Sequence, residues 1–149
     1  MKLYSFILIC LFAIPAHAQT LDKTAFNIAY RYTGRNVLQG GLSYKINNDR
    51  KQSFVVGTSI LYTPIESQAK FLPEINFNYT NNLGQVGLSV NPYSIEPRVG
   101  FSLLNFMYLN TGYALPVHKE KYFKGFTFGV QFNISPSKSS IFYNRLKLM

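Results

Sequence analysis

The chain of 149 residues has no tryptophan, one cysteine (Cys10), two histidines and only 14% charged residues. One cysteine excludes an internal disulfide framework, and so few Cys and His side chains leave no set that could close around a zinc ion. No glycine-rich phosphate motif occurs. Soluble domains carry roughly 25% charged residues, so this chain lacks the ions that would hydrate a large outer surface. Long segments of helical period are missing too, which disfavours parallel βαβ folds. Outside the N-terminus no window approaches the roughly 20 consecutive apolar residues of a membrane-spanning helix.

The N-terminal stretch has its own explanation. Lys2, the apolar run Phe6 to Pro15 and the small-x-small site Ala16-His17-Ala18 form a secretory signal. Residues 1–18 are therefore expected to be removed near Ala18, taking Cys10 with them and lowering the formal charge from +9 to +8. Ile9 before Cys10 makes a poor lipoprotein site. Fifteen basic against six acidic residues, on an exported chain with scattered charge, point to anionic lipid or polysaccharide and not to nucleic acid.

What is abundant is aromatic: 16% of the residues, arranged with a period of two. From Tyr122 to Ile134 the even positions include Phe126, Phe128, Val130, Phe132 and Ile134, while Gly125, Thr127, Gly129, Gln131 and Asn133 alternate with them. The same alternation predicts strands over 25–32, 37–46, 53–62, 71–80, 85–90, 95–103 and 106–115. Glycine and asparagine turns separate them, Thr63 to Lys70 with Pro64 reads as a loop, and Leu104-Asn105 as a two-residue hairpin turn. Pro73 is expected near a strand start or a bulge. This gives an all-β fold: an antiparallel up-and-down eight-stranded transmembrane β-barrel over residues 19–134, followed by a tail over 135–149.

In a soluble barrel the large apolar groups line the interior and ions cover the outside. Here the second face is Gly, Ser, Thr, Asn and Gln, which suits the narrow interior of a small membrane barrel, with the greasy face outward. Tyr30, Tyr32, Tyr44, Tyr62, Tyr79, Tyr113 and Tyr122 fall mostly near strand ends, as an interfacial girdle requires. In signal, alternating strands and aromatic ends, Ala25 to Ile134 resembles the small eight-stranded outer-membrane β-barrel proteins of Gram-negative bacteria. It departs from them in running fifteen residues past its last strand.

The resemblance implies termini in the periplasm, a cell outer-membrane location and outer-membrane lipid as partner, with lipopolysaccharide or an envelope protein as further candidates. On that orientation Arg31, Glu74, Glu96 and Arg98 share the outer half of the lumen. They are expected to form a structural charge network that plugs it, while Lys45 lies near the periplasmic mouth without those partners. His118, Lys119, Lys121 and Lys124 read either as a contact for lipopolysaccharide phosphates or as a solubilising loop. No catalytic, cofactor or metal residues are assigned, and the expected role is non-enzymatic, structural or interactive. Two alternatives stand beside it: an outer-leaflet lipid-modifying enzyme centred on His118, and a soluble lipocalin-like ligand-binding barrel. His118→Ala with lipid analysis tests the first, and cell fractionation the second. The sequons at Asn78 and Asn133 are read as coincidence, since both side chains should face inward.

Overall fold

The computed structural model describes residues 22–49, 51–103 and 106–136. The expected signal, the Leu104-Asn105 turn and the tail from residue 137 lie outside them. The eight strands are β1 (Thr24–Tyr32), β2 (Asn36–Lys45), β3 (Gln52–Ile65), β4 (Gln68–Asn81), β5 (Gly84–Val90), β6 (Ser94–Leu103), β7 (Met107–Pro116) and β8 (Gly125–Ile134). Each pairs antiparallel with its neighbours in sequence, and β1 closes on β8 from Phe26↔Ile134 to Tyr32↔Phe128, so the sheet is a closed barrel with no free edge. Closure satisfies the rows of N–H and C=O groups that an open sheet would leave at its edges.

The turns follow from residues that supply what each geometry needs. Asn81 Oδ1 accepts from the backbone N–H of Leu83 and of Gly84, each at 2.9 Å. Asn91 Oδ1 does the same for Tyr93 at 3.0 Å and Ser94 at 2.9 Å. Both are asparagine side chains imitating a backbone turn. The β1, β3, β5 and β7 strands run toward one end of the barrel, here the distal mouth; the chain enters and leaves at the other, the proximal mouth.

Two strand boundaries differ from the expectation. Residues 63–70 are not a loop: β3 runs on to Ile65, β4 starts at Gln68, and Glu66 and Ser67 make the turn with φ of 52° and 65°. Two consecutive positive φ values are what a two-residue turn needs to match the strand twist. Pro64 is tolerated because β2 pairs with β3 only as far as Leu38↔Tyr62, leaving that flank of the strand unpaired beyond. The last strand also begins later than Tyr122. Gly125 at φ 95° interrupts the extended backbone, so Tyr122, Phe123 and Lys124 belong to the β7–β8 loop.

The other strand prolines likewise sit where a ladder stops. Pro73 lies well inside β4, opposite Ile60, yet pairing to β5 starts only at Ile75↔Val90. Pro97 interrupts β6–β7: pairs Ile95↔Leu115 and Arg98↔Gly112 are present, with none between them. Without an N–H, proline cannot supply that rung.

Candidate functional site

Side-chain direction is set by the pleat, so one parity of every strand fills the lumen. At the proximal end the filling is polar and, Lys45 apart, uncharged. Asn27 Nδ2 donates to Ser43 Oγ at 2.8 Å, and Gln85 Nε2 to Asn110 Oδ1 at 2.6 Å. Asn110 continues to Gln131 Oε1 at 3.3 Å, and Gln131 to Asn133 Oδ1 at 2.8 Å. Lys45 is fully buried and its Nζ donates to the Asp49 carbonyl in the β2–β3 turn. It therefore sits at the proximal mouth, apart from the other interior charges. One level up, Ser59 Oγ accepts from Gln39 at 2.9 Å and from Asn76 at 3.1 Å, and Asn76 Oδ1 accepts from Ser89 at 2.6 Å.

Above this ladder the structure brings Arg31, Glu74, Glu96 and Arg98 into one network, with exposures of 4%, 1%, 1% and 8%. Glu74 is gripped from both sides. Arg31 Nη2 lies 2.5 Å from its Oε2, and Arg98 Nη2 lies 3.2 Å from its Oε1. Glu96 Oε1 accepts from Arg98 Nε and from Thr127 Oγ1, each at 2.8 Å, while its Oε2 stands 3.4 Å from Arg31 Nη1 as an ion pair without a hydrogen bond. Two carboxylates alternate with two guanidiniums, so the buried charge sums to zero and each ion has oppositely charged neighbours, the condition under which burial is tolerated. Glycine makes the room. A Cβ on Gly129 would stand 2.8 Å from Arg31 Cβ, and one on Gly112 would stand 3.1 Å from Arg98 Cγ. Beside the network remains a cavity of about 10 Å³, the room of about one water.

The network does not reach the distal mouth, which corrects the expectation that charge fills the outer half of the lumen. Val37, Leu61, Ile65, Leu72, Ala114 and Phe123 form an apolar cluster above it. Leu72 is two residues distal of Glu74 on the same face, and Phe123 comes down from the β7–β8 loop with none of its surface exposed. Four turns converge on this stopper. Tyr122 donates to Glu66 Oε1 at 2.9 Å, and Arg35 stacks 5.3 Å from the Tyr122 ring and 5.9 Å from Phe123. Lys70 Nζ stands 5.6 Å from the Tyr122 ring, and Tyr93 packs edge-on against both His118 and Tyr122 at 5.2 Å. The Glu66 hydrogen bond, with burial and the charge of Glu120 behind it, pushes the Tyr122 hydroxyl well above the usual tyrosine value. Sequence reading missed this cap. Its signal was parity: Phe123, Leu61 and Leu72 are large apolar residues on the small polar face.

His118, Lys119, Lys121 and Lys124 are all exposed in the β7–β8 loop. His118 Nδ1 accepts from the Glu120 backbone N–H at 3.2 Å. No group of three or more His, Cys, Asp or Glu that could hold a metal occurs among the described residues.

The outward face inverts the usual soluble arrangement. Every strand presents large apolar groups, among them Phe26, Ile60, Phe71, Val86, Phe101, Leu109, Phe126 and Phe128, each between 43% and 71% exposed. Aromatic pairs gather at the two ends: Tyr62–Phe71 and Tyr113–Phe126, each at 5.3 Å, toward the distal mouth, and Phe54–Tyr79 at 5.1 Å and Phe106–Phe132 at 6.5 Å toward the proximal one. The fold and interior thus define a closed, eight-stranded antiparallel barrel with a packed polar lumen, an apolar distal stopper and an apolar outer belt. Comparison with protein-family models, curated proteins and solved structures finds no match.

Proposed function

We propose that the protein is an integral outer-membrane β-barrel with a structural or envelope-interaction role and no enzymatic one. The observation that carries this is the apolar belt on all eight strands, which in water would be an exposed apolar surface far beyond the few hundred Å² that soluble monomers show. Ten-residue strands at about 3.4 Å per residue, tilted by about 40°, span about 25 Å, the height of an outer-membrane apolar band. The two tiers of aromatic pairs stand where interfacial girdles belong. With the chain termini on the periplasmic side, the distal mouth faces out, and His118, Lys119, Lys121 and Lys124 are placed to meet lipopolysaccharide phosphates.

A lumen filled by side chains supports a closed barrel and not a pore. Fractionation with a gel comparison of heated and unheated protein tests the location: an outer-membrane barrel needs detergent for extraction and migrates differently before and after boiling. Recovery in the soluble fraction contradicts it. In a planar bilayer the purified protein should give no steady conductance.

A further inference from the structure

We propose that the outer wall formed by β5, β6, β7 and β8 holds one anionic lipid, its acyl chain in a lateral groove and its phosphate on the β7–β8 loop. This rests on the membrane reading above. The wall carries a groove of about 340 Å³ lined chiefly by Val86, Pro97, Val99, Thr111, Tyr113 and Phe126. That volume is at the low end for small-molecule sites, and the lining is mostly apolar, as such sites are.

Its origin is local. The β6–β7 ladder lacks its rungs between Ile95↔Leu115 and Arg98↔Gly112, where Pro97 has no N–H to give. Pro97, Val99 and Thr111 present short side chains outward, and the perpendicular Tyr113–Phe126 pair, 5.3 Å between centroids, forms one bank. A shallow apolar depression set in an apolar belt fits a flexible hydrocarbon.

The loop above it supplies the other half. Tyr113 precedes the end of β7 by three residues, and Phe126 follows Lys124 by two. The β7–β8 loop therefore hangs at the distal end of the groove, carrying exposed Lys119, Lys121 and Lys124 against the single acid Glu120. An apolar slot capped by excess positive charge complements an amphipathic anion, which selects an anionic lipid over a zwitterionic one.

The absence of tryptophan makes the test clean. Tyr113→Trp places one fluorophore on the bank of the groove. Phe77→Trp places one on the outward face of β4, away from it. Each full-length variant is reconstituted in phosphatidylcholine vesicles containing a fixed fraction of dibrominated phosphatidylglycerol or, in parallel, dibrominated phosphatidylcholine. The tryptophan at 113 should favour the brominated anionic lipid about five-fold, the ratio of roughly one lysine–headgroup contact, and the one at 77 should show no preference. Adding Thr111→Phe to fill the groove, or replacing Lys119, Lys121 and Lys124 by Ala, should each remove the preference. Equal behaviour of the two tryptophans overturns the proposal, and so does a preference that survives both changes. Loss of the preference on adding inorganic phosphate assigns the loop to free anions instead and overturns the lipid. If neither tryptophan is quenched by either brominated lipid, the membrane reading itself falls.

Discussion

Replacing Glu74 by Gln is the sharpest perturbation of the interior. Glu74 is the carboxylate held between Arg31 at 2.5 Å and Arg98 at 3.2 Å, with Asn91 Nδ2 at 3.5 Å from the same oxygen as Arg31. Gln keeps the shape, but its amide has one acceptor oxygen for two guanidiniums and turns an NH₂ donor toward the other. The quartet is left with one uncompensated positive charge in a dry site, which costs about 3–5 kcal/mol for a broken buried pair. At a urea m-value of about 2 kcal/mol/M the unfolding midpoint should fall by about 2 M. Urea titration of the reconstituted barrel, read from the fraction keeping its unheated gel mobility, measures the shift. Arg31→Met with Glu74→Met removes a whole pair and leaves Glu96 with Arg98 at 2.8 Å. That double variant should lose less than Glu74→Gln alone, because neutral replacement of both partners leaves no orphan charge. An unshifted midpoint for Glu74→Gln, or a double variant worse than the single, refutes the reasoning.

Three further outcomes are expected. Val130→Arg, at the middle of β8, should cost about 2–4 kcal/mol near a bilayer midplane; the same change at a water-exposed site stays within about 0.5 kcal/mol, so urea titration of this variant discriminates the two environments. Phe123→Ala should cost about 3–5 kcal/mol by emptying the stopper, and hydrogen exchange should locate the loosening in the β7–β8 loop and the distal ends of β3 and β4. Tyr122 should keep its proton above the ordinary tyrosine value of 10.0, because an anion beside Glu66 is disfavoured. Its hydrogen bond thus contributes to stability below that value and is lost as pH climbs through the raised one. Absorbance titration of wild type minus Tyr122→Phe reads this directly, and Glu66→Gln should lower the midpoint.

Alternation carried most of the architecture because strand parity is insensitive to small errors in strand ends. Thr127, Gly129 and Gln131 face inward and Phe126, Phe128 and Phe132 outward whether β8 starts at residue 122 or 125. The charge network was legible for the same reason: Arg31 late in an odd strand and Glu74, Glu96 and Arg98 early in even strands share both face and level. Periodicity does not show where a strand stops or where a loop folds back. Pro64 and Glu66 read as loop residues, although a two-residue turn only needed Glu66 and Ser67 in left-handed backbone. The burial of Lys45 against the Asp49 carbonyl is a loop contact with no repeat to betray it, and the descent of Phe123 into the mouth showed only as a large apolar residue on the small polar face. The groove at Pro97 needed the register of four strands at once.

Nitroxide labels placed singly from residue 126 to 133 of β8, with Cys10 replaced, test the lipid-facing belt most directly. In vesicles, labels at 126, 128, 130 and 132 should collide freely with dissolved oxygen and scarcely with a water-soluble nickel chelate. Labels at 127, 129, 131 and 133 should be shielded from both. Strong relaxation of the outward set by the nickel chelate would place the belt in water and contradict the account.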